Sequence, residues 1–154
     1  MGVVRDKDNG YEKLRMRMRA PAASILVGVD SRPHAPSGKP TDEIALIHEY
    51  GLGVPQRSFL RAWVDENLNN IELKIQQETG RYLFGEQSWT KAQERIGQYC
   101  VNGVRARMMR EIPPPLLAST INRKNGRHPT IPLIDTMQMY EAVVYELKDR
   151  GRAA

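Results

Sequence analysis

The sequence predicts an α+β domain: a small antiparallel sheet of about three or four strands packed by two long helices, with long mobile loops between them. Three observations carry this expectation. Residues 13–19 alternate apolar with basic, residues 24–30 are rich in β-branched side chains, and residues 142–148 alternate again, which is the period of half-buried strands. Two longer stretches, 58–79 and 88–110, place apolar residues every three or four positions. Clusters of Pro, Gly, Ser and Asn separate these runs. A chain of 154 residues, 40% apolar and 27% charged, fits one domain that can build its own core.

From the start of the chain, residues 1–10 are polar. Leu14, Met16 and Met18 would face inward from a first strand, which Ala20-Pro21-Ala22 interrupts. Ile25, Val27 and Val29 share one face of the next strand, so the two strands are expected to pair as neighbours or as a hairpin. Residues 31–40 hold three prolines, a glycine and two serines and predict a mobile loop. Thr41 can cap a short helix with Asp42 and Glu43 in its first turn, and Gly51 stops it. The turn Gly51-Leu52-Gly53-Val54-Pro55 leads to the first long helix, with Leu60, Trp63, Val64, Leu68, Ile71 and Ile75 on its apolar face and Gly80 as its stop. Ser88 opens the second, with Trp89, Ala92, Ile96, Cys100, Val104 and Met108 inward. Three prolines, 113–115, block its continuation. A short helical piece at 116–122, a basic mobile loop at 123–131 with an Asn125-Gly126 turn, one helical turn capped by Asp135 or Thr136, a last strand and a flexible tail at 149–154 complete the single domain, 1–154.

Composition excludes several classes of function. No apolar run is long enough to cross a bilayer, and the first residues lack the apolar core of a signal peptide. The lone Cys100 forms no internal disulfide and, on an apolar helix stripe, is expected to be core rather than nucleophile. His48-Glu49 begins like a zincin motif, but Leu52 stands where the second histidine belongs, and His34 and His128 are remote, so neither a metal nor any other cofactor is expected. Gly51 and Gly53 match no phosphate-binding loop. No carboxylate and histidine constellation suggests an enzyme.

The net charge of +5 is unevenly spread: +3 over residues 1–20, +1 over 21–40, −4 over 41–80, +6 over 81–130 and −1 over 131–154. Such a molecule can meet a polyanion or a copy of itself, basic face to acidic face. Arg15, Arg17 and Arg19 form one basic row facing either DNA or a neighbouring subunit. Arg105, Arg107, Arg110, Arg123, Lys124 and Arg127 suggest a second. Aromatic residues are interleaved with neither row, which speaks against base-specific recognition.

The segment Ala45-Leu46-Ile47-His48-Glu49-Tyr50-Gly51, then Pro55-Gln56-Arg57-Ser58-Phe59-Leu60 and Asp65-Glu66-Asn67, resembles the "A-x-I-H-E-[YF]-G", "P-x-R-[PS]-F-L" and "D-E-N" pattern of the small neck and tail-completion proteins of tailed bacteriophages, also described as minor tail components or virion morphogenesis proteins. Residues 115–124 are similar to that family's "P-L-x-x-S-T-I-x-R-K", and Pro132-Leu133-Ile134-Asp135-Thr136 to its "P-L-I-D-T-G-Q-L". The likeness runs from about Val27 to Leu147. Two positions depart from it: Met137 replaces the glycine after "D-T" and Met139 a leucine, so the turn there is expected to differ, lacking a residue free to adopt positive φ.

The resemblance implies a noncatalytic structural virion protein at the head–tail junction, assembled in the bacterial cytoplasm. It implies a homo-oligomeric ring, hexamer or dodecamer, that joins the DNA-filled head to the tail. Its partners would be copies of itself and the phage's head-completion, connector and tail-terminator proteins, with nonspecific contact to packaged DNA and no membrane. The oligomer or neck interface is then expected at His48, Glu49, Gly51, Pro55, Arg57, Phe59, Leu133, Asp135 and Thr136. For Arg57 and Phe59 two roles stay open: an anchor pair of the kind that dominates interfaces, or a phenylalanine that begins the core beside an arginine paired with a carboxylate. In the first role Arg57→Ala would change monomer melting only slightly. The alternative function is a basic, nonspecific nucleic-acid-binding protein.

Overall fold

A computed structural model describes residues 8–20, 23–35, 37–124 and 128–149. Most of the expected polar N-terminal segment and C-terminal tail, the Pro21-Ala22 break, the Asn125-Gly126 turn and Arg127 lie outside these residues. The elements in order are α1 (Tyr11–Arg17), β1 (Ala23–Val29), α2 (Thr41–Tyr50), α3 (Leu60–Leu83), α4 (Trp89–Met108), α5 (Ala118–Arg123), α6 (Gln138–Glu141) and β2 (Val143–Asp149). The chain is α+β with a small antiparallel sheet and several helices.

Among the described residues the sheet has two strands rather than three or four, because residues 13–19 are largely helical. That run contains no β-branched residue, and Leu, Lys, Arg and Met all favour helix, so alternation alone misleads. Leu14, Met16 and Met18 are not inward-facing: they are 38%, 71% and 70% exposed. Helix α1 is tied instead to the end of α3, where Arg17 donates to the Leu83 carbonyl at 2.9 Å and the Tyr82 hydroxyl donates to the Arg17 carbonyl at 3.0 Å. Among the described residues of 13–30 the expected strand pairing is therefore not formed. Strand β1 pairs antiparallel with the distant β2, in the register Ile25↔Leu147, Val27↔Tyr145, Val29↔Val143.

The two longest helices, α3 and α4, pack against each other, and α4 carries the sheet on another face. Among the described residues four shorter helices stand alongside them. Ala92, Ile96, Cys100, Val104 and Met108 of α4 are buried on the anticipated stripe, and Ser88 Oγ caps the helix by accepting the Lys91 N–H at 3.1 Å. Two glycines permit the packing. A Cβ on Gly103 would lie 2.0 Å from the Trp63 ring, and one on Gly97 would lie 2.5 Å from the Tyr145 ring. Helix α3 is kinked at Asn67, whose side chain donates to the Trp63 carbonyl at 2.8 Å. It continues through Gly80, which remains helical, and ends at Phe84 and Gly85.

Near that end the Glu78 carboxylate is 1% exposed and joins α3 to α4. It accepts from Lys74 at 2.7 Å and Gln87 at 2.9 Å, and Arg95 approaches to 3.5 Å. Burial by itself would raise its pKa. The Lys74 and Gln87 hydrogen bonds, the Lys74 charge and Arg95 together push it down to about 2.

Candidate functional site

Helix α2 is anchored at its start by Thr41, whose hydroxyl accepts the Arg32 N–H at 2.9 Å and donates to the Asp30 carbonyl at 2.5 Å. It stops at Gly51 (φ 72°), and a Cβ there would meet the Gln56 side chain at 2.9 Å, so this position requires glycine twice over. The chain then doubles back. The Arg57 N–H donates to the His48 carbonyl at 2.9 Å and Gln56 Nε2 to the Glu49 carbonyl at 3.0 Å, with Pro55 exposed on the turn.

This return brings the start of α3 onto the Glu49 side chain. One carboxylate oxygen accepts the Phe59 and Leu60 N–H groups at 2.9 and 3.1 Å; the other accepts the Ser58 hydroxyl at 2.5 Å and the Arg61 N–H at 3.1 Å. A helix begins with unsatisfied donors and a partial positive charge, and a carboxylate from another helix answers both. Burial would raise the Glu49 pKa, but the Ser58 hydroxyl and the three N–H donors outweigh it and hold it below the usual carboxylate range.

Arg57 and Phe59 lie inside the fold, 5% and 1% exposed. Arg57 donates to the Pro114 carbonyl at 2.8 Å, pinning the proline segment to the turn. Neither expectation for Arg57 holds as stated: the contact is a backbone carbonyl rather than a carboxylate, and the guanidinium is buried, so Arg57→Ala is not a slight change to the monomer. Loss of such a charge-assisted bond should cost about 1.5–3 kcal/mol. Phe59 is core.

On the other side of α2 is a cavity of about 260 Å³ that collects residues from separate parts of the chain: His34, Ile44 and His48, then Leu116, Thr120 and Lys124, then Pro132, Leu133, Asp135, Thr136, Met137 and Met139. His34 bridges Ser37 Oγ (2.8 Å) and Thr136 Oγ1 (3.1 Å) through its two ring nitrogens. Lys124 Nζ donates to the Ile131 carbonyl at 2.6 Å, and burial lowers its pKa against the opposing influence of Asp135. His48 Nδ1 is buried without a hydrogen-bond partner, and burial together with the Arg57 charge lowers its pKa.

The turn at 135–137 corrects another expectation. Met137 itself adopts positive φ (65°), the one non-glycine among the described residues to do so, and precedes α6. Packing of its side chain against the core accompanies a backbone conformation that disfavours non-glycine residues by about 1–2 kcal/mol.

Of the anticipated site residues, His48, Leu133, Asp135 and Thr136 meet at the cavity, Glu49, Arg57 and Phe59 form the capped core behind it, and Gly51 and Pro55 shape the turn. Arg15, Arg17 and Arg19 belong to the separate α1 region: Arg15 pairs with Glu12 at 3.4 Å, and Arg17 is spent on Leu83. Part of the second basic group is used internally, while Arg110 and Arg123 are exposed. Arg105 donates to the Tyr140, Glu141 and Val143 carbonyls, while Arg107 bonds the Ser58 carbonyl and pairs with Glu66. Sequence reasoning missed His34, Thr120 and Lys124 as cavity residues. Only the His34–Ser37 spacing offered a local sign of a structured turn, since the rest depends on long-range packing.

Among the described residues, no group of three or more His, Cys, Asp or Glu side chains is placed to hold a metal ion, and no helix is long and apolar enough to cross a membrane. Comparison of the chain with protein-family models, with curated proteins and with solved structures finds no match.

Proposed function

We propose that the chain is a noncatalytic structural protein of a tailed-phage neck, acting as part of a homo-oligomeric ring that joins the DNA-filled head to the tail. The observation that carries this reading is the convergence of the three separated stretches of family resemblance. Residues of 44–61, 115–124 and 132–136 meet at the Glu49 cap and the adjoining cavity, and Arg57 reaches Pro114. In this reading the motif residues build a rigid platform, and the platform displays what docks. Leu46, Tyr50 and Leu52, on and just after α2, are each more than half exposed, and Leu117 stands out 74% exposed just before α5. Exposed apolar side chains held on a stiff turn suit a protein interface better than a solvated surface. Internal use of Arg105, Arg107 and Lys124 leaves less of the second basic row for nucleic acid.

The test is complementation of a phage lacking this protein, with heads and tails counted separately by electron microscopy. The double variant Tyr50→Ser, Leu52→Ser removes side chains that are more than half exposed, together with the Arg61 guanidinium's contact 5.3 Å over the Tyr50 ring, and should fold normally while heads and tails accumulate unjoined. Normal particle yield without the protein would remove the neck role, and salt-dependent DNA binding in its place would favour the nucleic-acid alternative.

A further inference from the structure

Helix α1 carries an apolar stripe that its own fold does not cover. Tyr11, Leu14 and Met18 recur at i, i+3 and i+7, with Phe84 of the neighbouring turn beside them; Tyr11, Met18 and Phe84 are each two-thirds or more exposed. No residue of this seven-residue helix is buried. A helix so short is marginal alone, and Arg19 together with Arg15, the latter in an exposed pair with Glu12 at 3.4 Å, flanks its stripe with positive charge.

A second stripe has the opposite sign. Asp65, Leu68, Glu72 and Ile75 of α3 follow one another at spacings of three and four, all exposed. Lys74, the only cation between Asp65 and Ile75, is committed to Glu78. Ile75 also lines an apolar groove of about 300 Å³ between α3 and β1, with Ile25, Val27 and Ile71. Within one molecule α1 does not reach the Asp65–Leu68 end of the second stripe. Arg17 and Tyr82 hold α1 at the end of α3, and Leu68 lies about 22 Å back along that helix at 1.5 Å per residue.

We propose that α1 of one copy docks on the Asp65–Leu68–Glu72–Ile75 face of α3 in the next, apolar stripe on apolar stripe and arginines against carboxylates. The contact joins two different patches of the same chain. It is therefore head-to-tail, the kind of joint that closes into a ring when its rotation permits. It deepens, and for its biological setting rests on, the neck-ring reading.

Charge exchange in the full chain tests it. One variant carries Arg15→Glu and Arg19→Glu, the other Asp65→Lys and Glu72→Lys, with melting curves confirming that each is folded. Sedimentation velocity should show self-association of each variant weakened about tenfold or more by like-charge juxtaposition, and recovered in an equimolar mixture where reversed α1 meets reversed α3. If a reversal unfolds the chain, Arg15→Ala with Arg19→Ala and the single change Tyr11→Ser give the same readout. An oligomer indifferent to these changes overturns the contact and leaves the ring reading standing. Wild-type chain that stays monomeric at its highest soluble concentration, or α1 variants that lose only DNA binding, also overturn it. Recovery in the mixture together with normal head–tail joining in the absence of the protein would keep the contact and remove the phage setting.

Discussion

The Glu49 carboxylate accepts the backbone N–H of Phe59 at 2.9 Å, so a side chain from α2 fixes where α3 begins. A helix start capped from another element couples the two: α3 cannot fray at Phe59 without releasing α2.

Glu49→Ala should therefore destabilise the chain by about 2–4 kcal/mol, more than an exposed cap, since a charge-assisted set of bonds is lost and buried donors are stranded. Glu49→Gln keeps the shape and part of the acceptor capacity and should lose about half as much. Urea unfolding monitored by Trp63 and Trp89 fluorescence measures both. Equal losses would mean that the negative charge, not the shape or the remaining acceptor capacity, holds the turn.

Two helical glycines should respond in opposite directions to alanine. Gly103→Ala forces a methyl into the Trp63 ring and should destabilise by about 1–3 kcal/mol despite better helix propensity. A Cβ on Gly80 meets nothing within 4 Å, so Gly80→Ala should stabilise by about 0.5–1 kcal/mol. Thermal melting of the pair decides the matter, and a stabilising Gly103→Ala would show that α3 and α4 can move apart freely.

Met137 allows the backbone contribution to be isolated. Met137→Gly and Met137→Ala remove nearly the same side chain, but only glycine is at ease at a φ of 65°, so Met137→Gly should be the more stable by about 1 kcal/mol. Equal stability would mean that the turn relaxes to negative φ once the side chain is gone.

Acid should weaken the fold in two windows. The folded pKa of His48 lies below its ordinary 6.5, so the unfolded chain binds the proton first; stability contributed above 6.5 is lost as pH falls toward the folded value. Glu49 and Glu78 are also depressed, and their contribution is present above 4.5 and lost as pH falls through their folded values, about 2 for Glu78. Urea midpoints should decline between pH 6.5 and 4.5 in the wild type and stay nearly level in His48→Gln, with both chains declining below 4.5. An undiminished decline in His48→Gln would assign the upper window to another group.

Where local periodicity and tertiary packing agree, the elements were legible. The α4 stripe from Ala92 to Met108, the Ser88 cap and the Gly51 stop all follow from residues within a few positions of one another. Residues 13–19 were misread because alternation of Leu and Met with Arg and Lys satisfies period two without any β-branched side chain to favour a strand. Gly80 failed as a stop because a glycine ends a helix only where it turns left-handed, and here it does not. For the candidate site, the motif marked His48, Glu49, Arg57 and Phe59 but could not say which would be buried. Burial of Arg57 depends on Pro114, and the cavity depends on His34 meeting Thr136; both pairings span more than fifty residues and leave no local mark.

Pairing of Val29 with Val143 sets the order in which this fold can complete itself. While the chain is being synthesised, the Ile25-Leu26-Val27 segment has no strand to join until more than a hundred further residues have left the ribosome. Loop closure of that length places the sheet late in folding, after α3 and α4 can already meet. Until then β1 is an apolar strand with both edges open, the state most prone to pair with a strand from another nascent chain. Yield of soluble protein should therefore be governed by how quickly β2 arrives.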